Sequence, residues 1–362
     1  MVYLDYSATT KASLNVLDKF YEVESKYYAN PNSNHKIGKE AKVEISNSIK
    51  SICDCFGIKE KELIFTSGAS ESNNTVLKGV MVNHIITTKL EHSSIITPVG
   101  YLQTKGIRVS FVKLDENGLV DIDNLKELIT DEETLVSIGA VNSETGIRQN
   151  IEEIGILLKK YSNVLFHSDI TQIVGKDEFD LSNIDLASFS MHKIFGFKGI
   201  GGLIKKEHVR FTPLIHGGKS TSIFRSGTPQ TGLIVSSGVA VCDAFSDIKE
   251  KYSKVKGLND YLKDSIKDMV IINSNQYSIP HILNFSIKNI SSDDALEFFS
   301  NNDIFISSKT ACSSGNYSFV INTLYKDMER ALTSVRVSIS YMTTKEEIDI
   351  FINKLKELIE CK

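Results

Sequence analysis

Hydrophobic residues along the chain fall in short runs of strand length, separated by longer stretches at helical spacing. The runs are HIITT (84–88), RVSFVKL (108–114), TLVSIGAV (134–141), VLFHSDI (164–170), LASFS (186–190) and GGLIK (201–205). Among the stretches that follow them, 93–105, 121–130 and 151–161 repeat apolar residues at three and four positions. Such alternation predicts strand–helix units and a mainly parallel sheet covered on both faces, an α/β fold. Ligands of such sheets collect beyond the carboxyl ends of the strands. The polar motifs of this chain sit at those ends.

The texture changes past Ala244. A charged helical stretch, 246–269, reads as a long connecting helix. Strand-like ILNFSI (282–287), a helix near 293–301, FISS, VRVSIS (335–340) and a closing helix from Thr344 follow. This predicts a smaller α+β domain, built from 1–12 and 246–362, beside a large domain at 13–245.

Charge narrows the partners. A formal net charge of −4 over 362 residues gives no electrostatic footprint for nucleic acid. No apolar run approaches the ~18 residues of a membrane span, and the first residues lack a signal-peptide core, so a cytoplasmic protein is expected. Five cysteines, Cys53, Cys55, Cys242, Cys312 and Cys361, are odd in number and scattered, which excludes a disulfide framework. No second pair or histidine cluster completes a zinc site with Cys53 and Cys55. The other thiols are expected buried or half-buried; Cys312, among small residues in ISSKTACSSGN (306–316), reads as a free thiol on a mobile loop.

Four segments carry chemistry. SFSMHKIFGFKGIGG (188–202) ends a strand in Ser-Met-His-Lys before a glycine-rich turn. Lys193 precedes the glycines, so a nucleotide phosphate loop is excluded. Two readings remain: a surface lysine beside a turn, or a lysine forming a Schiff base with pyridoxal phosphate. In HSDITQ (167–172), Asp169 ends an apolar strand, either as a helix cap or as the partner of a protonated pyridine nitrogen, with Gln172 on the ring's phenolic oxygen. FTSGASESNN (65–74) predicts a strand, a tight turn and a helix with Ser70 as N-cap, whose backbone N–H groups form a phosphate seat. His92 in KLEHSSII (89–96) follows a strand, where an imidazole is structural, or stacks on a ring or shuttles protons.

Together with YLDYSATT (3–10), NPNSNHKIG (30–38), VNSETGIRQ (141–149), FRSGT (224–228), TACSS (310–314) and VRVSIS, these motifs occur in the order found in cysteine desulfurases. The chain thus resembles that group of class-V aminotransferases, fold-type-I pyridoxal-phosphate enzymes with a mainly parallel seven-stranded sheet. The resemblance implies Lys193 as the Schiff-base lysine, Asp169 and Gln172 on the ring, and His92 stacked upon it. It implies Ala69, Ser70, Ser190 and His192 at the phosphate, with Thr228 donated by the second subunit of a homodimer. Arg336 would pair with the carboxylate of L-cysteine, Ser143 would touch substrate, and Cys312 would receive the sulfur. Catalysis would then rest on Lys193, Cys312 and His92. A sulfur-acceptor protein is implied too, an iron–sulfur scaffold or a tRNA-thiolation enzyme, without direct nucleic-acid or membrane contact.

The chain departs from the family pattern near the substrate. Ser143 replaces an asparagine, Lys219-Ser220-Thr221 alter a glycine-rich run, Lys309 stands for a glycine, and Ser340 for another. Alternatives are a related lyase or aminotransferase for another amino acid such as selenocysteine, or a non-catalytic partner protein of the same fold. The second would need the lysine, aspartate or cysteine to be lost, and all three are present.

Overall fold

The computed structural model describes residues 1–308 and 317–360; Cys312, Lys309 and Cys361 lie outside them. In chain order the elements begin with β1 (Val2–Tyr3), α1 (Leu14–Lys26), α2 (Lys36–Phe56), β2 (Leu63–Thr66), α3 (Ala69–Gly79), β3 (His84–Thr87) and α4 (Ser93–Thr104). Next come β4 (Arg108–Phe111), α5 (Ile122–Leu128), β5 (Thr134–Ser137), α6 (Ile151–Leu158), β6 (Val164–Asp169), β7 (Leu186–Ser190) and β8 (Gly201–Lys205). The remainder are α7 (Thr231–Phe245), α8 (Ile248–Ile266), β9 (Ile271–Ile272), β10 (Ile282–Ser286) and α9 (Ser292–Asn301). Last are β11 (Ile304–Phe305), α10 (Phe319–Tyr325), α11 (Met328–Leu332), β12 (Ser334–Ser338) and α12 (Lys345–Glu360).

Seven strands form the main sheet in the order β2-β8-β7-β6-β5-β3-β4. Neighbours from β7 through to β4 pair in parallel, and β8 runs against both β2 and β7. Strands β3, β5, β7 and β8 are buried along their whole length, which is why they read as continuous apolar runs. Successive side chains supply opposite cores. Ile86 and Val136 pack with Phe166, Leu125 and Ile154 on one face; Ile85 and Leu135 pack with Leu203, Val76 and Ile95 on the other. The edge strand β4 is half exposed, and its Arg108 pairs with Glu132 at 3.0 Å.

A separate cluster joins Val2 and Leu4 to Val255, Leu283, Phe285, Phe299, Val335, Val337 and Phe351. It covers the antiparallel sheet β12-β10-β9, and β1 pairs in parallel with β11. The first strand therefore joins elements near the other end of the chain.

Several boundaries differ from the sequence expectation. The run 134–141 ends as a strand at Ser137: Gly139 N–H donates to Glu91 Oε2 at 2.9 Å, although Ile138 and Ala140 N–H still donate to His167 O and Asp169 O on β6. The stretches 121–130 and 151–161 are helical only to Leu128 and Leu158. The charged stretch 246–269 does form one helix, α8, though only over Ile248–Ile266, and Asp247, at φ 49°, separates it from α7, which ends at Phe245. Helices α10 and α11, short and with few apolar repeats, were not foreseen. Cys53 is buried and Cys55 half-buried, but Cys242 is exposed, contrary to expectation; its Sγ lies 3.7 Å from that of Cys55. Among the described residues no single helix is long and apolar enough to cross a bilayer.

Candidate active site

The carboxyl ends of β2, β3, β5, β6 and β7 open into one cavity of about 440 Å³. It is lined by Gly68, Ala69 and Ser70 after β2, His92 after β3, and Ser143 after β5. Asp169 and Gln172 come from the end of β6, Ser190, His192 and Lys193 from β7, and Arg336 from β12. Nearly every candidate among the described residues thus meets at one place; Thr228 alone is exposed and outside this lining within one chain.

Each group is held by identifiable partners. Asp169 accepts from Asn73 Nδ2 at 2.8 Å and from Thr171 N–H at 3.0 Å, so it caps no helix; residues 171–176 form turns. His92 is the N-cap of α4, and its Nδ1 accepts the Ser94 N–H at 3.1 Å. That bond puts the proton of the neutral ring on Nε2. Ser94 Oγ also lies 2.8 Å from Nδ1 and takes a hydrogen bond from Asn73, which links His92 to Asp169. Burial holds His92 below the usual histidine range.

Helix α3 starts differently from the expectation. Its N-cap is Gly68, at φ 152° and ψ 177°, not Ser70, and no side chain caps it. Only glycine takes that conformation without strain. A Cβ on Gly201 would stand 2.6 Å from Gly68 Cα, so glycine at both positions lets the turn sit against β8. Ala69 and Ser70 lie in the first turn, whose N–H groups have no partner within the helix. Ser190 Oγ lies alongside, 3.5 Å from where a Gly68 side chain would start.

The segment 5–10 does more than its sequence announces. Lys193 Nζ donates to Ser7 O and Ala8 O, both at 2.6 Å, and Gln172 Nε2 donates to Ser7 O at 2.9 Å. Thr10 N–H and Oγ1 both donate to His192 O, at 2.8 and 3.0 Å. Burial, then the adjoining Lys193, presses His192 down to about 4. Arg336, 2% exposed, donates to Asp5 Oδ1 at 2.7 Å and to Ser143 O at 2.9 Å. Ser143, where the family has asparagine, thus serves the arginine through its backbone. At the other altered position, Ser340 Oγ accepts from Met342 N–H at 3.1 Å and caps a turn.

The class-V aminotransferase profile matches residues 2–351. The mitosomal cysteine desulfurase of Encephalitozoon cuniculi is 37% identical, the alignment covering 99% of this chain and 87% of the relative. The chain belongs to the cysteine desulfurases of the class-V aminotransferase family. A solved NifS-like protein superposes with a TM-score of 0.93 at 31% identity over 100% of both chains. Another, described as SspA in complex with cysteine, gives 0.83 at 29% identity over 95% of this chain and 100% of its own.

In this desulfurase the sequence reading missed Asp5, Ser7, Ala8, Asn73, Glu91, Ser94 and Lys176. Two of them carried a visible signal. Asp5 is a charge in an otherwise small or apolar run, and Glu91 is a carboxylate beside a strand end. Glu91 is half-buried at the cavity, where it accepts from Thr88 Oγ1 and Gly139 N–H, and desolvation lifts its carboxyl to about 7. Ser7, Ala8, Asn73 and Ser94 act through backbone atoms or short polar side chains, for which no motif exists, and Lys176 through an ammonium that bonds a neighbouring amide.

Proposed function

We propose that the cavity holds pyridoxal 5′-phosphate and that this desulfurase converts L-cysteine to L-alanine, passing the sulfur to Cys312. The observation that carries the reading is the convergence of Lys193, Asp169, His92 and Arg336 on one cavity. The donor set fits the cofactor: an amine, a half-buried carboxylate for a ring nitrogen, and an uncapped helix start with Ser190 beside it for a phosphate. Thr171 Oγ1 and Arg336 Nε, buried without a partner among the described residues, also belong to residues that line it. When bound, the cofactor supplies an electron sink for the charge left at the substrate α-carbon.

The protein groups then have distinct tasks. Arg336 binds the substrate carboxylate; its guanidinium suits that geometry. Lys193 Nζ takes the α-proton, and His92 holds a proton at Nε2 over the cavity. The Cys312 thiolate attacks the substrate sulfur: an S–S bond forms, the Cβ–S bond breaks, and its electron pair stays on the β-carbon. Protonation there yields the methyl group of alanine, and the protein keeps a persulfide.

Anchors on either side of Cys312 support this assignment. Ser307 bridges to Arg336 on β12, and Ser318 Oγ donates to Glu144 Oε2 at 2.6 Å. Glu144 follows Ser143, which itself holds Arg336. Cys312 therefore stands in the sequence between two points fastened beside the carboxylate anchor.

The same reading includes a homodimer in which Thr228 reaches the partner's phosphate and a large domain at 13–245 beside a small one. It also includes a cytoplasmic setting, and delivery of sulfur to an iron–sulfur scaffold or tRNA-thiolation enzyme. The test is peptide mass spectrometry after L-cysteine and alkylation. A peptide holding Cys312 should gain one sulfur atom, and Cys312→Ser should abolish that gain and most alanine formation. Undiminished alanine formation by Cys312→Ser refutes the assignment.

A further inference from the structure

Lys176 follows Gly175 in the turns after β6 and is 8% exposed, yet nothing in the chemistry above employs it. A long cationic side chain is rarely buried without a purpose, since desolvating its charge is costly. Its Nζ does not face a carboxylate; it donates to Gln172 Oε1 at 2.5 Å. Burial, followed by the nearby cations Lys193 and Arg336, holds its ammonium down to about 7. Charged or neutral, it remains a donor.

That direction has a consequence for Gln172. An amide has an acceptor end and a donor end, and which is which follows from its partners. With Lys176 donating to Oε1, Nε2 is fixed on the other side, where one N–H goes to Ser7 O at 2.9 Å. The second N–H remains for the cavity that Gln172 lines. Ser7 O also receives Lys193 Nζ, so a continuous set of bonds runs from Lys176 through Gln172 and Ser7 to the catalytic amine.

We propose that Lys176 is a positioning residue for the cofactor ring: it locks the Gln172 amide so that Nε2 faces an anionic ring oxygen. The proposal rests on Gln172 facing the ring's phenolic oxygen. The titratable and charged groups around Lys176 are Lys193 and His192 after β7, His281 before β10, Arg336 on β12, and Tyr6, Tyr341 and Asp243 across a small shared cavity. The bond at Gln172 Oε1 comes from Lys176 Nζ.

The test uses the full-length protein loaded with pyridoxal phosphate, and follows the visible absorbance of the bound chromophore against pH. Removing the donor leaves the ring oxygen less well stabilised as an anion, so it holds a proton more tightly. Lys176→Met should raise the chromophore midpoint by about one pH unit, a tenfold change. It should also weaken cofactor retention about tenfold, measured by titrating the apoprotein. Gln172→Leu should raise the midpoint in the same direction, and the double variant should add nothing to it. Lys176→Gln, which keeps a donor, should recover at least half of the shift; it serves alone if the methionine variant does not fold, its midpoint then lying between the parent and Gln172→Leu.

An unmoved midpoint in the folded Lys176 variants, with Gln172→Leu shifted, overturns the role of Lys176 and leaves Gln172 on the ring oxygen. An unmoved midpoint in Gln172→Leu overturns that placement of Gln172, and the proposal with it. Additive shifts in the double variant also overturn it, because Lys176 would then act independently of the amide.

Discussion

Replacing Arg336 by lysine keeps the charge but not the fork. The guanidinium serves Asp5 through one terminal nitrogen and Ser143 O through the other, at 2.7 and 2.9 Å, and it is almost wholly buried. A lysine ammonium in that space reaches one of these acceptors while facing the substrate, leaving the other unpaired. Hydrogen bonds to charged groups contribute about 1.5–3 kcal/mol, and an unpaired buried acceptor costs about 1–3 kcal/mol. The first figure applies to the substrate carboxylate. A loss of about 2–3 kcal/mol there lowers kcat/KM about 30- to 150-fold, mainly through KM. The second figure appears in urea unfolding as about 1–3 kcal/mol of lost stability.

Asp5→Asn separates the two effects. It keeps an oxygen for the guanidinium but removes the charge, so stability should fall by about 1–2 kcal/mol and KM should rise several-fold with kcat held. Alanine release against L-cysteine concentration measures both variants. If Arg336→Lys keeps KM within about twofold of the parent, the substrate carboxylate is bound elsewhere and the anchor has been misassigned.

Three further outcomes are expected. Glu91, lifted to about 7 by burial, binds its proton more tightly when folded, so its contribution is present below about pH 4.5 and lost as pH rises through 7. Glu91→Gln should therefore stabilise the protein by about 3 kcal/mol at pH 8 but by under about 1 kcal/mol at pH 5, read from urea unfolding at each pH. Ser94→Ala removes the hydroxyl beside His92 Nδ1, and kcat should fall about three- to tenfold with KM for cysteine little changed. Gly201→Ala forces a methyl against Gly68 and the Phe189 carbonyl, each 2.6 Å away, and should cost about 1–3 kcal/mol in thermal unfolding and weaken phosphate retention.

The main sheet was legible because its central strands are apolar on both faces; Ile85 and Ile86 point to opposite cores, and no polar face blurs the run. The polar residues ending those strands stood out for the same reason, and Asp169, His92 and Lys193 do meet at one cavity. Helix ends were less legible, because a single backbone angle decides them. Ser70 looked like the cap of α3, yet Gly68 takes the position with a conformation that Ser70 cannot share. Least legible were contacts made by carbonyl oxygens. Ser7 O, Ala8 O and Ser143 O hold Lys193, Gln172 and Arg336, and any residue type could have supplied them.

The strip of residues 2–10 also bears on how the enzyme is made. These residues leave the ribosome early, but β1 pairs with β11, and Asp5 meets an arginine 331 positions later. Until that distant part is synthesised, the strip has its bonds to Gln172, His192 and Lys193 but lacks both its strand partner and the Arg336 contact. A nascent chain with its main sheet complete would still have an unassembled centre. Because Arg336 comes from β12, the lining of the cavity is complete only once that late strand is in place.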